Sequence, residues 1–390
     1  MKQYFASTMG LCLAFASCAP SAQEKKEELV PQLAAQFQYL VDNSEPLVKD
    51  STLVSPRTLE DGKLQMVRRG DWTSGFYPGT LWQLFELTGD SHWKELAEKA
   101  TARIEGEKYN GRTHDMGFKV YDSYGKGYKL TQDAHYKEVI IQSAKTLSTR
   151  FNPIVGCIRS WDHHADVWKF PVIIDNMLNL ELLFAATKLT GDSTYYNMAV
   201  SHAETTMKNH FRPDGGSYHV VDYDPETGKV LHRQTHQGYA DESTWSRGQA
   251  WALYGYTMCY RETGKQEFLD KAMSLAAWIQ ERLPEDGVPY WDFDAPGIPN
   301  EPRDASAAAV MASGLYELDQ LTDKGGKWRN LADHILQSLT DHYRNTDGAD
   351  QGFLLAHSTG SKAHNSEVDV PLIYADYYYL EAILRKNGNF

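Results

Sequence analysis

The sequence predicts an all-α fold, a double toroid in which six outer helices enclose six inner ones. Three observations lead there. Segments that are apolar on every face alternate along the chain with amphipathic segments; the first kind must be enclosed and the second kind must enclose them. A short junction also recurs: Glu86-Leu87-Thr88-Gly89-Asp90 before Trp93, Lys188-Leu189-Thr190-Gly191-Asp192 before Tyr195, Arg261-Glu262-Thr263-Gly264-Lys265 before Phe268, and Gln320-Leu321-Thr322-Asp323 running through Gly325-Gly326 to Trp328. Glycine ends a helix at C′ and aspartate opens one at the N-cap, so these are tight links between antiparallel helices. No strong period-two run competes, although Ser217 to Leu231 can form one hairpin around Asp224-Pro225-Glu226-Thr227-Gly228.

Taken in order, the chain opens with Met1-Lys2-Gln3, an apolar run to Phe15, and Ala16-Ser17-Cys18. A charged start, a short apolar stretch and small residues before a cysteine make residues 1–17 an export signal of the lipoprotein type. Cys18 would then carry a lipid; the competing reading is ordinary cleavage near Ser21-Ala22-Gln23. Residues 18–28 read as a polar tether and 29–390 as one domain, with no linker dividing it. Cap signals and apolar periodicity place helices at 26–43, 72–88, 91–106, 115–130, 132–148, 171–189, 193–211, 242–262, 265–282, 304–322, 327–341 and 369–388. Those at 72–88, 171–189, 242–262, 304–322 and 369–388 are apolar all round, whereas 91–106, 132–148, 193–211, 265–282 and 327–341 carry a charged face. The long connections 212–241, 283–303 and 342–368 are rich in Gly, Pro, Asp and aromatics, and loops of that length line functional mouths.

The chain has 39 basic and 52 acidic side chains, a net charge of −13. Nucleic acid is thereby excluded as a partner, since binding it needs a basic face. Beyond the signal and Cys18 only Cys157 and Cys259 remain, which is neither a disulfide framework nor a zinc spacing. No later apolar run is long enough to span a membrane, so membrane contact is expected only through the lipid on Cys18. There is no GxGxxG, P-loop, GxSxG or HExxH, and His163-His164 lacks helical metal spacing. No nucleotide, metal or other cofactor is expected.

The stretch Phe170 to Leu189 carries the sharpest chemical signal. Pro171 suits a first helical turn, yet Asp175 follows directly on Val172-Ile173-Ile174. An unpaired carboxylate in apolar surroundings is costly. Two readings stand: Asp175 caps the helix, or it is an acid of raised pKa at the mouth of a buried helix. Asp115, in His114-Asp115-Met116-Gly117-Phe118, opens a second inner helix at the same structural place. Two carboxylates facing one cavity suit acid–base work on a sugar. Trp72, Trp161 and Trp251 lie beside these acids or at matching helix mouths, where rings stack on sugar faces or simply pack. Arg247 stands inside an apolar helix and needs an anionic partner, either an aspartate or a substrate carboxylate. His219 and Gln237 sit on the 212–241 connection and can reach the same mouth.

At this point the residues resemble glycoside hydrolase family 88, the unsaturated glucuronyl hydrolases. The motifs are DWTSGFYPGTLW at 71–82, HDMGF at 114–118, RSWD at 159–162, IIDNMLNLELLF at 173–184, HQGYADESTWSRGQAWALYGY at 236–256, WDFDAP at 291–296, RDASAAA at 303–309 and EVDVPLIYADYYYLEAILR at 367–385. The resemblance covers essentially the whole mature chain. It implies an (α/α)6 barrel, with Asp115 and Asp175 as the catalytic pair and Trp72, His114, Trp161, His219, Gln237, Arg247 and Trp251 lining the sugar site. It also implies an unusual reaction. The 4,5-unsaturated uronic acid that lyases leave at a non-reducing end is a vinyl ether. Protonation at C4 makes an oxocarbenium ion at C5, water adds there, and the hemiketal collapses to free the neighbouring sugar. Asp175 would give and retake the proton, and Asp115 would hold sugar hydroxyls and help keep Asp175 protonated. A sister family acting on unsaturated rhamnogalacturonan resembles this chain in fold but lacks the HDMG aspartate, so Asp115 argues against it. A non-catalytic glycan-binding lipoprotein would use the same tryptophans without needing the acidic pair. A purely structural toroid would leave Arg247 unexplained. The expected address is outside the cytoplasm, in the periplasm or anchored at an outer membrane. Mass spectrometry of the mature N-terminus tests the anchor: a lipidated Cys18 is expected, and an unmodified start at Ala22 or Gln23 would leave export without the anchor.

Overall fold

The computed structural model describes Met1 and residues 22–50, 52–322 and 325–389. The export signal and Cys18 lie outside the described residues. Among the described residues, twelve main helical segments organise the chain. They are α1 (Ala22–Ser44), α2 (Phe76–Thr88), α3 (Ser91–Ala102), α4, α5 (Ala134–Ser148), α6 (Asn176–Thr190), α7 (Ser193–Asn209), α8 (Ser246–Thr263), α9 (Gln266–Arg282), α10 (Ala305–Leu321), α11 (Lys327–Ser338) and α12 (Ile373–Lys386). Helix α4 is a π-helical Gly117–Gly125 continued by an α-helical Lys126–Thr131. Helix α1 takes in residues 22–28, which the sequence assigned to a tether.

The expected alternation sorts the helices into two rings. Helices α2, α4, α6, α8, α10 and α12 each pack on the next, and α12 returns to α2, closing the inner ring. Burial confirms which helices are inside: α8 is buried without a break from Ser246 to Cys259, and α10 from Ala305 to Leu318. An outer helix such as α7 buries only Ala199, His202, Ala203 and Thr206. The links at Gly89 and Gly191 are built as the sequence predicts, whereas α10 ends at Thr322 in extended backbone and the left-handed Gly326 opens α11. Gly89 and Gly191 take left-handed φ of 70° and 76°, and each N–H returns to the carbonyl four residues back. Asp90 and Asp192 then accept from the backbone N–H of His92 and Thr194 to start the outer helix. The α4–α5 link escaped notice because Gln132 stands where glycine is expected, at φ 57°, followed by Asp133 as cap.

These links fix direction. Helices α2, α4, α6, α8 and α10 each end in a tight link to the following outer helix, and α12 closes the chain, so the long connections lie at the inner helices' N-terminal ends. Those connections carry short strands: β1 (Ser55–Glu60) with β2 (Lys63–Val67), β3 (Phe151–Asn152) with β4 (Cys157–Ile158), a sheet of β5 (Pro171–Ile173), β6 (Val220–Tyr223) and β7 (Val230–Gln234), and β8 (Ser358–Ser361) with β9 (Ser366–Val370). The β6–β7 hairpin answers the expectation at 217–231. The hairpins β1–β2 and β8–β9 were not expected, because half-buried, partly polar strands lack a strong apolar period.

The helix expected at 171–189 is corrected at its start. Pro171–Ile173 is a strand whose Val172 pairs with Val221, and α6 begins at Asn176. Three β-branched residues in a row fit a pleated strand better than a first helical turn. The starts expected at 72, 242 and 369 likewise move to Phe76, Ser246 and Ile373, since the preceding residues build the mouth.

Helices α4 and α6 meet closely at that mouth. The Phe118 N–H donates to Asn179 Oδ1 at 3.1 Å. A Cβ on Gly117 would lie 2.6 Å from Asn179 Cα, closer than carbon atoms can stand. Gly117→Ala is therefore expected to push the two helices apart; overpacking of this kind typically costs about 1–3 kcal/mol. A thermal unfolding scan should show a lowered Tm, and an unchanged Tm would mean that the contact is slack.

Candidate active site

Asp175 is the first residue of this site to place. It occupies the N-cap position of α6, but its side chain makes no capping hydrogen bond. The capping reading therefore fails, and the carboxyl faces the mouth. Only 13% of the side chain is exposed, and Oδ2 has no hydrogen-bond partner. Burial pushes its pKa up to about 7, Arg247 opposes the rise, and the nearby Asp115 carboxylate adds to it. The loop order that achieves this is local: Ile174 N–H donates to the His219 carbonyl, which ends β5 and turns the chain into α6 with Asp175 at the bend.

His219 faces Asp175 from the start of β6, its Nε2 3.6 Å from Asp175 Oδ2. The backbone N–H groups of His236 and Gln237 both donate to His219 Nδ1, each at 3.1 Å. Nδ1 is thus an acceptor, and the ring proton sits on Nε2, aimed at the carboxyl. Burial keeps His219 far below its usual pKa, so it is a neutral donor. Asp115 closes the other side at the entry to α4. Its Oδ2 accepts from Thr113 Oγ1 at 2.6 Å, and its Oδ1 lies 3.2 Å from His114 Nε2. His114 is itself buried, which lowers its pKa.

Arg247, in the first turn of α8, meets the expected need for an anion in a way the sequence did not specify. Its partner is Asp304, with Nη1 to Oδ2 at 2.8 Å and both side chains at most 1% exposed. Nη1 also donates to the Thr359 carbonyl and Nη2 to the Gly360 carbonyl, each at 2.5 Å. Trp245 and Tyr374 sandwich the guanidinium, their ring centres 4.5 and 5.3 Å away. The partner is neither Asp115 nor Asp175, although Arg247 lies near enough to Asp175 to act on its charge. Gln237 reaches the same strand, donating from Nε2 to the Gly360 carbonyl at 3.2 Å.

The three tryptophans differ. Trp161 is partly exposed and ringed by Trp168, His163 and His236. Trp72 is partly exposed too and packs on Phe76, Phe118 and Tyr374. Trp251 is fully buried between Phe118 and Tyr378, with no ring face open to a sugar. It stands beside the Asp175 carboxyl. Sequence reasoning missed Asp304, Trp245, His236 and Asn179. Asp304 was within reach, because a buried arginine demands a buried acid and RDASAAA opens an apolar helix with one.

The family model described as Glycosyl Hydrolase Family 88 matches residues 47–381. An unsaturated glucuronyl hydrolase from Formosa agariphila is 48% identical, the alignment covering 99% of this chain and 98% of that protein. An unsaturated chondroitin disaccharide hydrolase from Streptococcus pneumoniae is 33% identical over 81% of each. A solved unsaturated glucuronyl hydrolase specific for heparin superposes with a TM-score of 0.88 at 43% identity, covering 93% of this chain and 98% of its own.

The raised pKa of Asp175 has a consequence for stability. The folded state holds its proton up to about pH 7, whereas an unfolded aspartate loses it near 3.8. The stability from this group is complete below 3.8, declines as pH rises, and is gone above about 7. Each unit in that window costs roughly 1.4 kcal/mol at most. Asp175→Asn removes the titration, so its Tm relative to wild type should climb between pH 4 and 7 and then level off. A difference that stays flat across this range would show the carboxyl ionised in the native protein.

Proposed function

The chain belongs to glycoside hydrolase family 88, and from that premise we propose that it is an unsaturated glucuronyl hydrolase with Asp175 as its proton donor. It releases the 4,5-unsaturated uronic acid from the non-reducing end of lyase-generated oligosaccharides. The observation that carries the assignment is a carboxyl buried at the start of α6 that makes no capping hydrogen bond and leaves Oδ2 without a partner, surroundings that push its pKa up to about 7. Protonating carbon needs an acid that is still loaded near neutrality, and this group is one. The proton passes from Asp175 to C4, the positive charge forms at C5 and the ring oxygen, and water adds to C5 as Asp175 takes a proton back. The hemiketal then opens and the neighbouring sugar leaves. Asp115 supports this from across the cavity by opposing ionisation of Asp175 and by accepting from sugar hydroxyls. The neutral His219 offers a hydrogen bond that steadies Asp175 once it is charged.

The substrate is read as a glycosaminoglycan product. Greater identity to the heparin-specific hydrolase than to the streptococcal chondroitin enzyme puts the heparin-derived disaccharide first. The signal over residues 1–17 supports action outside the cytoplasm, on a Cys18 anchor. The test is incubation with unsaturated disaccharides from heparin, chondroitin, hyaluronan and alginate, following loss of ultraviolet absorbance. Asp175→Asn should bind the best of them and turn it over ~10²–10⁴-fold more slowly, as loss of a general acid does. Turnover within about tenfold of wild type would remove Asp175 from this role and point to Asp115.

A further inference from the structure

We propose that Asp304 is a positioning residue for this reaction: by holding and neutralising Arg247 it keeps the arginine's charge from stripping the proton off Asp175. The inference rests on the reading of Asp175 as the acid. The geometry carries it. Arg247 is enclosed by two aromatic rings, two backbone carbonyls and one carboxylate, and that carboxylate belongs to Asp304. Asp304 in turn is fixed from every side. Its Oδ1 accepts from the N–H groups of Ser306, Ala307 and Thr359 and from Ser306 Oγ, while Oδ2 takes the arginine. The first of these bonds cap α10, so one carboxylate starts an inner helix and fixes a cation beside the catalytic acid.

Two opposing fields meet on Asp175. Asp115 favours the proton and Arg247 disfavours it, while the facing His219 is neutral. Arg247 is therefore the cation that works against the proton on that carboxyl. A bare guanidinium would depress its proton affinity in low-dielectric surroundings. Paired with Asp304 at 2.8 Å, it acts as part of a dipole whose field falls off faster. Tyr374, packed on Arg247, is kept un-ionised by burial and cannot replace the missing charge.

The decisive variant is Asp304→Asn. Asparagine caps helices as well as aspartate does, so α10 keeps its start while the negative charge is lost. The pH profile of kcat/KM reports the free enzyme, and its alkaline limb should follow Asp175. In Asp304→Asn that limb should move to lower pH by about one unit, a ~10-fold loss at neutral pH that is recovered at lower pH. If the limb stays in place and only Tm falls, Asp304 is a structural cap and the proposal is overturned. If Asp304→Asn does not fold, Asp304→Ser, also a good cap, carries the same test. The wild-type profile separates the two levels. Should it lack an alkaline limb near neutrality, or should Asp175→Asn stay active, the reading of Asp175 has failed. An alkaline limb present in wild type but unmoved in both Asp304 variants fails this proposal alone.

Discussion

Six inner helices running in one direction around a closed ring are the constraint on which the site depends. Because α2, α4, α6, α8 and α10 each return through a tight link to an outer helix, the inner helices' N-termini gather at one end, with the long connections. Helix N-termini present unpaired N–H groups and the positive ends of their dipoles. A mouth built this way suits an anionic sugar. It also suits a carboxyl placed one step before a helix, where Asp175 stands. The ring closes only because neighbouring helices approach closely, and Gly117 against Asn179 is where α4 and α6 do so. That contact brings the Asp115 and Asp175 segments together, near enough for the Asp115 carboxylate to raise the Asp175 pKa.

Glu381 and Asp175 show two treatments of a buried carboxyl. At the far end, Glu381 accepts from Lys126 Nζ at 2.9 Å, Ser313 Oγ at 2.7 Å and Tyr254 at 3.0 Å, and Arg385 meets Glu317 at 2.9 Å. Burial alone would raise the Glu381 pKa, but Arg385 and Lys126 outweigh it and hold the carboxyl well below the usual range. Glu381 is thereby satisfied and remains charged, as a structural ion pair requires, whereas Asp122, at the same end with Oδ2 unpartnered, is pushed well above the usual aspartate range by burial. At the mouth, Asp175 is equally enclosed but has no full partner, so it keeps a proton instead.

Arg247 lies between these cases. It is a buried cation with a buried anion, like the Arg385–Glu317 pair at the far end, yet it stands within electrostatic reach of Asp175, the proposed acid. Its two hydrogen bonds to the carbonyls of Thr359 and Gly360 also draw β8 over the mouth, where Gln237 holds the same carbonyl. One ion pair thereby positions a strand, starts a helix and sets the field at the site.

The sequence by itself determined the architecture. Apolar segments that must be enclosed, amphipathic ones that must enclose them, and Gly-Asp junctions leave little choice besides paired rings of helices. It also singled out Asp175, since an acid directly after Val-Ile-Ile is an anomaly whatever the fold. It left open whether that acid caps a helix or holds a proton, because both place aspartate at a helix start. Only the tertiary structure separates the two, by leaving the side chain without a capping bond to α6 and burying it with Oδ2 unpartnered. The same holds for Arg247: the need for an anion is local, but Asp304 is 57 residues away. The β5 strand went unseen for a related reason, since Pro171–Ile173 becomes a strand through pairing with Val220–Asp222 rather than through its own propensity alone. Residue type states which groups will need partners; the closed ring decides which partners they get and which go without.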